Sequence, residues 1–590
     1  MTKTTSAVRA FIDTCSIEPL ASQDLDHVVE AICCSEQFTA LLLSLIDSDA
    51  FSRELGEEFA AVGAIHGLSA CRSLRSCLNF SLSRFFGLFA ELISAFDEAA
   101  GAQWYAFADR MHQSNLGANK LLERLSRSQS GEFYQDLASR LVEENPHAVY
   151  PTSSYRESCG HVVSTADDQT IEAVVRTSTF ASIKLVDHSL DPEQPLLRDM
   201  YMPMGRCVCL VDQNVDRYYS EQLEHYFDYH GIQLEKLVYR AMEVDKGIHT
   251  VERMLGDLKR LGVSRNEPVL IVGGGVLADT AGLACALYHR NTPYVMLSTS
   301  IVAGIDAGPS PRTCCDGFGY KNLFGAYHPP VLSITDRFFF KTLREGWLRH
   351  GIIEIIKMAV VKDAELLRDV EKAGPRLITT RFGTINCEPD DEIVALSQKI
   401  LGGPMRSYVA AEYGNLYETH QCRPHAYGHT WSPGFEIEAG LLHGHAVSIG
   451  MGFGAYLSYR MNWIDAEEFH RILRLISSLG LSLWHGILHK KETLWGSQEK
   501  IIQKRGRNLA APLPKGEIGH CGYLNSLTQE ELYAAIDEYQ EICAEYPRKG
   551  LGGEPHCSDV GLEDPSTVAQ ISAEPVPSYH GHPEEALSAV

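Results

Sequence analysis

The chain has no excess of positive charge: 52 Lys and Arg stand against 76 Asp and Glu, a formal net charge of −24 over 590 residues. Phosphate-backbone binding needs a basic face, so this balance argues against a nucleic-acid partner. An anionic small molecule is still admissible, because a pocket can be locally positive on an acidic protein. None of the 16 cysteines belongs to a Cys-x-x-Cys pair, and they are scattered apart from Cys33-Cys34 and Cys314-Cys315. No zinc ribbon or thioredoxin-like site can be read from them. Residues 1–16 lack the apolar core of a signal peptide, and the most apolar stretch, 78–96, is broken by Arg84 and Glu91. No membrane span is expected, and a cytoplasmic protein with reduced thiols is. No internal repeat is present. At 45% hydrophobic and 22% charged residues the composition is that of a globular protein, and the length implies two to four domains.

Three patterns follow along the chain. Over residues 14–144 apolar side chains recur at helical spacing, as in 40–46, 85–90 and 120–125, without a motif that carries chemistry. His27, His66 and His112 are isolated there and read as surface or core side chains. Residues 1–150 are therefore expected to form an all-α extension, ending in a linker at Asn145-Pro146 and 151–154. From 151 to 344 strands (206–212, 237–239, 268–272) alternate with helices (218–229, 250–261). This rhythm predicts an α/β domain with a parallel, Rossmann-like sheet. Residues 345–547 turn helical. The stretch 548–590 carries Pro555, Pro565, Pro575, Pro577 and Pro583 among Gly, Ser and Glu, and is expected to be disordered.

Two features carry chemistry. Gly273-Gly274-Gly275 lies between an apolar strand and a helix over 276–287, where a pyrophosphate can approach the backbone and the positive helix end. The spacing is not Gly-x-Gly-x-x-Gly, so a tight strand-to-helix turn explains it equally well. Asp279, one helical turn on, faces the same mouth or simply favours the helix amino end. The second feature is Glu354 and Lys357, at i and i+3 in the very apolar 351–357, where an unpaired charge is expensive. His429 in Tyr427-Gly428-His429-Thr430, and His443 and His445 in Leu442-His443-Gly444-His445, add imidazoles beside glycines. One Glu with two His suits zinc, and structural histidines are the alternative.

Together these segments resemble the sugar phosphate cyclase superfamily, whose best-known member is 3-dehydroquinate synthase. The matching text covers about 206–547 and includes 273–279, 299–307, 321–330, Glu354-Ile355-Ile356-Lys357, Gly428-His429-Thr430 and His443-Gly444-His445-Ala446, in the family's order. The resemblance implies a dehydroquinate synthase-like fold, an NAD-binding α/β domain followed by a helical metal-binding domain. It implies zinc or cobalt on Glu354, His429 and His443. NAD would lie over Gly273, Gly274, Gly275, Thr299 and Ser300, with Glu243 and Lys246 at its adenosine end and Thr342 also in contact. Asp279 and Asp306 would face the nicotinamide and substrate hydroxyls, while Lys321, Asn322 and Lys357 would hold substrate oxygens and phosphate. Arg290 resembles the arginine that family dimers lend to the neighbour's phosphate site, so a homodimer is implied. Taken alone, Lys321 and Arg290 read as solvated surface charges.

Departures narrow the resemblance. Dehydroquinate synthases carry an arginine seven residues before the first metal histidine, where this chain has Cys422, with Arg423 one step off. Their asparagine three before that histidine is Ala426, and the second histidine of Gly-His-x-x-Gly-His is Pro433. These changes remove groups matched to a substrate carboxylate, and unpaired buried groups cost ~1–3 kcal/mol each. Arg312 stands where most members carry lysine, keeping charge but not reach. The text 427–433 is similar to the branch that cyclises sedoheptulose 7-phosphate. That branch implies a phosphate-eliminating carbon–oxygen lyase making a C7 cyclitol of the 2-epi-5-epi-valiolone type by oxidation, elimination, reduction and intramolecular aldol closure. Desmethyl-4-deoxygadusol, 5-epi-valiolone and 3-dehydroquinate are alternative products. Other classes are a glycerol or iron-type alcohol dehydrogenase, which would release NADH, and a non-catalytic scaffold retaining the fold.

Overall fold

The computed structural model describes residues 90, 98–113, 156–164, 169, 171–179 and 181–563, apart from 266, 319, 419–422 and 506. The helical segments expected at 40–46 and 120–125, His27, His66, the 145–154 linker and Cys422 lie outside the described residues. The chain divides into two compact units, 1–179 and 180–590. In the first, helix α1 (Glu98–Gln113) buries Trp104 and Phe107, whose rings meet edge to face at 5.9 Å. Strands β1 (Arg156–Ser164) and β2 (Ile171–Thr179) pair antiparallel from Arg156 opposite Thr179 to Ser164 opposite Ile171. This hairpin corrects the boundary expected at 151. Its ladder is closed within itself and adds no strand to the parallel sheet, so residues up to 179 group with the amino-terminal unit.

The second unit opens with an α/β lobe. It runs β3 (Ser182–Leu185), α2 (Pro195–Tyr201), β4 (Arg206–Asp212), α3 (Gln213–Tyr229), β5 (Gln233–Tyr239), α4 (Ile248–Arg260), β6 (Val269–Gly273), α5 (Gly275–Leu287) and β7 (Tyr294–Ser298). An antiparallel hairpin, β8 (Arg312–Gly317) and β9 (Tyr320–Tyr327), then precedes β10 (Leu332–Thr335). The six-stranded sheet has the order β3-β10-β7-β6-β4-β5, and every neighbouring pair is parallel. β6 and β7 are buried at every residue, as expected of apolar strands covered on both faces. Asp212 ends β4 and caps α3 by accepting the Asn214 N–H at 2.7 Å. α4 turns Val251, Met254 and Leu258 inward at i, i+3 and i+7, while α5 is buried nearly all round. Strand order reverses between β4 and β6, so the ligand crevice of such a sheet falls outside their carboxyl ends, at Asp212 and Gly273.

The helical lobe comprises α6 (Glu345–Lys362), α7 (Ala364–Ala373), α8 (Arg376–Thr379), α9 (Glu392–Tyr413), α10 (Ser432–Phe435), α11 (His443–Arg460), α12 (Ala466–Ser478) and α13 (Lys491–Lys504). A short antiparallel pair, β11 (Ala511–Pro514) and β12 (Cys521–Leu524), and α14 (Gln529–Cys543) complete it. α6 and α11 cross at its centre and are almost wholly buried. Ile352, Ile353, Ile355 and Ile356 are fully buried, each contributing roughly 1.5–3 kcal/mol, which offsets the cost of holding Glu354 and Lys357 inside the same helix. Residues 548–563 correct the expectation of a disordered tail beginning at 548. They fold against α6 and α11, tied by backbone bonds such as Leu442 N–H to Pro555 O at 2.9 Å and by an Arg349–Glu554 ion pair at 2.7 Å. Proline and glycine there shape a fixed turn path rather than prevent one. None of Cys207, Cys209, Cys285, Cys314, Cys315, Cys387, Cys521, Cys543 and Cys557 forms a disulfide, and no described helix is long and apolar enough to cross a membrane.

Candidate metal centre beside a glycine turn

Glu354 leaves the middle of α6, His443 opens α11 and His429 sits in the turn before α10. One ligand atom from each lies within 4.8 Å of the others. His429 Nε2 is 3.8 Å and His443 Nε2 3.7 Å from Glu354 Oε1. Two glycines make this convergence possible. Gly428 takes a left-handed φ of 82°, and a Cβ there would meet the Val447 carbonyl at 2.9 Å and Met451 at 2.7 Å. A Cβ on Gly444 would meet the His350 backbone at 2.5 Å, so α11 can start against α6 only with glycine there.

Each imidazole is aimed by its other nitrogen. His429 Nδ1 donates to the Tyr427 carbonyl at 3.1 Å, and His443 Nδ1 to Glu436 Oε2 at 3.0 Å, which leaves both Nε2 lone pairs facing Glu354. Glu354 is 2% exposed; its Oε2 is paired with the Lys357 ammonium, and its Oε1 accepts no hydrogen bond. A buried carboxylate with open lone pairs beside two neutral-capable imidazoles fits a tetrahedral divalent ion such as zinc. Burial raises the Glu354 carboxyl, but Lys357, His429 and His443 outweigh it and hold it at about 2. Burial and then Lys357 hold His429 down at about 4, whereas Glu436 lifts His443 against its burial.

The expected neighbours form a connected lattice. Lys357 pairs with Glu354 and reaches Asp306 at 3.5 Å. Asp306 adjoins the glycine turn, because a Cβ on Gly275 would lie 3.6 Å from Ala307. The Thr299 N–H donates to the Gly273 carbonyl at 3.0 Å, and Ser300 Oγ would be 3.6 Å from a Cβ on Gly274. Asp279 pairs with Lys246 at 2.6 Å, and Lys246 donates to Asn322 Oδ1 at 2.8 Å. Lys321 pairs with Glu243 at 2.7 Å and Glu436 at 2.5 Å, so it is no solvated surface charge. Glu243 and Lys246 thus touch residues expected at the substrate. Thr342 shares a hydrogen bond with the Tyr219 hydroxyl at 3.2 Å, beside a small apolar pocket lined by Val211, Val215, Tyr219, Leu223, Val272 and Phe339 at the carboxyl ends of β4 and β6.

Arg290 stands apart from these groups, while Arg312 and His445 are held by partners of their own. Arg290 is exposed at a left-handed φ of 60° between α5 and β7, at the amino ends of the strands, and joins none of these groups. Arg312 pairs with Glu412 and Glu418. His445 turns from the centre and meets Ser482 Oγ at 2.8 Å.

Sequence reasoning missed Glu436, the acid that orients His443 and holds Lys321. It also missed the cluster of Glu412, Glu418 and His425, in which Arg423 meets Glu418 at 2.9 Å and His425 meets Glu412. Glu412 carried a usable signal, a carboxylate one turn after Tyr408 on the buried face of α9. Glu436 carried none, because its partners come from β9 and α11.

Residues 236–350 match the family model described as 3-dehydroquinate synthase N-terminal, and 351–498 the one described as 3-dehydroquinate synthase C-terminal. A demethyl-4-deoxygadusol synthase of Trichormus variabilis is 38% identical over 369 residues, 62% of this chain and 89% of that protein. A 2-epi-5-epi-valiolone synthase of Actinoplanes sp. is 37% identical over 330 residues, 55% of this chain and 81% of that protein. Among solved structures, ValA, a 2-epi-5-epi-valiolone synthase from Streptomyces hygroscopicus subsp. jinggangensis 5008 with NAD+ and Zn2+ bound, aligns with a TM-score of 0.58 and 32% identity. That alignment covers 62% of this chain and 98% of ValA.

Proposed function

The chain belongs to the sugar phosphate cyclase superfamily, and from that premise we propose that it is an NAD- and metal-dependent cyclase of sedoheptulose 7-phosphate. The reaction is a phosphate-eliminating ring closure to a C7 cyclitol of the 2-epi-5-epi-valiolone type. The observation that carries this reading is the convergence of Glu354, His429 and His443 on one point, joined through Lys357 and Asp306 to the glycine turn.

Bound there, NAD supplies reversible hydride transfer and a divalent ion supplies Lewis acidity. Glu354, His429 and His443 hold the ion. Gly273, Gly274 and Gly275, at the amino end of α5, receive the cofactor pyrophosphate, with Thr299 and Ser300 beside them. Lys357, whose ammonium loses stability through burial but regains more from Glu354 and Asp306, stays charged and offsets negative charge as phosphate leaves. Asp306, at its other side, exchanges a proton with a substrate hydroxyl. Lys321 and Asn322 orient substrate oxygens, and Arg290 serves the phosphate site of a partner in a homodimer.

The substrate assignment draws on the departures. Cys422, Ala426 and Pro433 lack the groups matched to a carboxylate, and the two nearby guanidinium groups, Arg312 and Arg423, are already engaged by Glu412 and Glu418. Such a site favours an uncharged polyol end over a carboxylated one. Demethyl-4-deoxygadusol is the second reading for the product, favoured by the 38% identity to a synthase of that name. The deciding experiment incubates purified protein separately with sedoheptulose 7-phosphate and with the dehydroquinate precursor, and identifies products by mass and NMR. We expect phosphate and a C7 cyclitol from the first alone, with no net NADH absorbance. Conversion of only the second substrate, or stoichiometric NADH, would overturn the proposal.

A further inference from the structure

Residues 548–563 run as a strap across the amino ends of the two helices that carry Glu354 and His443. The Leu442 N–H donates to the Pro555 carbonyl at 2.9 Å, and the Cys557 N–H donates to the Gly440 carbonyl at 2.8 Å. These bonds bracket an antiparallel bridge between Leu441 and His556. The turn that delivers His443 therefore has its backbone fixed by chain more than a hundred residues away. Leu442, Cys557 and Val560 close a small apolar cluster over it.

The same strap presses on α6. Glu554 Oε2 accepts from Arg349 Nη1 at 2.7 Å, and a Cβ on Gly346 would lie 2.6 Å from Val560 Cγ1. At its start, the Gly550 carbonyl accepts the Leu483 and Trp484 N–H groups, and the Gly552 N–H reaches Ser482 Oγ at 2.9 Å. At its end, Glu563 accepts from Arg240 of the α/β lobe at 2.7 Å.

We propose that this strap is a positioning device for the metal centre: by fixing the backbone at 440–442 and the first turn of α6, it sets the placement of His443 relative to Glu354. Cys557, through its N–H, and Glu554 are the positioning residues. The inference rests on the reading of Glu354, His429 and His443 as a metal site. Leu442 is the residue before the first turn of α11, so its N–H has no helical partner, and the strap carbonyl supplies one. A ligand at a helix start inherits any looseness of that turn, and supports of this kind typically change metal affinity by roughly 10–100-fold.

Cys557→Pro isolates the effect. Residue 557 begins a 3-10 turn and His556 before it is extended at φ −98°, ψ 153°, a backbone that accepts proline. Cys557→Ala removes the thiol but keeps the N–H. In metal-free protein, amides 440–446 should exchange hydrogen on the order of tenfold faster in Cys557→Pro than in Cys557→Ala, with those of β4 and β6 unchanged. Zinc, titrated against a chromogenic chelator, should bind on the order of tenfold more weakly to the proline variant, and the cobalt-loaded absorption band should shift. Equal exchange and equal zinc affinity in the two variants would refute the proposal. If Cys557→Pro loosens the whole fold, Glu554→Ala, which cuts the Arg349 tie, is compared with the unchanged protein on the same measurements, and no local difference refutes it. Failure of the metal-site reading looks different: the unchanged protein binds no zinc, or His429→Ala binds it as well, while the exchange comparison still judges the strap.

Discussion

Replacing Glu436 by glutamine should weaken zinc binding while leaving the fold intact. Glu436 accepts from two donors, His443 Nδ1 at 3.0 Å and the Lys321 ammonium at 2.5 Å. A glutamine amide offers one oxygen and one NH2, so in either orientation one contact sets donor against donor. A hydrogen bond with a charged partner contributes about 1.5–3 kcal/mol, and about 1.4 kcal/mol is a factor of ten. The Lys321 ammonium, as the charged donor, takes the amide oxygen and leaves His443 facing the NH2, so zinc affinity should fall roughly ten- to hundredfold. Lys321 keeps Glu243 at 2.7 Å, so its ammonium is not stranded and global stability should change little. The assay is zinc competition against a chromogenic chelator at constant pH, with thermal denaturation of the metal-free protein alongside. Glu438→Gln is the control, since Glu438 is surface-exposed and paired with Lys490. Zinc affinity in Glu436→Gln within about twofold of the unchanged protein would show that Glu436 does not orient His443.

His429→Ala and Glu354→Ala should abolish stoichiometric zinc retention after dialysis, and turnover with it; retained zinc measured by elemental analysis would contradict the ligand set. Lys357→Met should lower kcat by roughly 10²–10³ with KM less affected, since the ammonium acts on charge that develops during the reaction; steady-state phosphate release checks this. Gly428→Ala should cost about 1–3 kcal/mol from its left-handed backbone alone, read as a lower urea midpoint. Stability should also fall in acid. Burial holds His350 and His429 at about 4 and His445 at about 3, below the unfolded value of about 6.5. As pH drops through that window the unfolded chain takes up protons first, so stability complete above about 6.5 declines towards 4. Glu354 at about 2 adds a loss of the same sign at lower pH, whereas His443, raised by Glu436, and the carboxyls of Asp212, Asp279 and Asp316, raised by burial, act oppositely. Urea midpoints of metal-free protein from pH 7.5 to 4.5 should fall steadily, and a flat profile would contradict the buried neutral histidines.

Local signals found the elements whose cause is local. The strand at 206–212 was legible because Cys207 to Val211 is an unbroken apolar run, and the glycine turn because three glycines join a strand to a helix. Glu354 and Lys357 were legible as charges in an apolar helix that must find partners, and they found each other. The hairpin at 156–179 was missed because its pairing partners are each other, so no βαβ rhythm marks them. The strap at 548–563 was missed because its order comes from backbone bonds to residues 440–442 and 480–484, which leave no trace in composition. Glu436 belongs with these, since a residue defined by what two distant elements place beside it has no local signature.

The same lattice explains why a phosphate substrate and a divalent ion belong together. Around the crevice Lys246, Lys321 and Lys357 face Glu243, Asp279, Asp306, Glu354 and Glu436, so each ammonium is already engaged and carboxylates are in excess. Burial raises the Glu243 carboxyl, but Lys321 and Lys246 outweigh it and leave it ionised, at about 2. A dianionic sugar phosphate meets net repulsion in such a site, and at low dielectric that repulsion is larger than between exposed charges. A divalent ion held by Glu354, His429 and His443 would offset that excess, and by competing for Glu354 would leave the Lys357 ammonium to face the substrate. On the proposed reading, the pairing of lysines with acids would be a resting state that keeps buried cations charged until substrate oxygens took the place of the carboxylates.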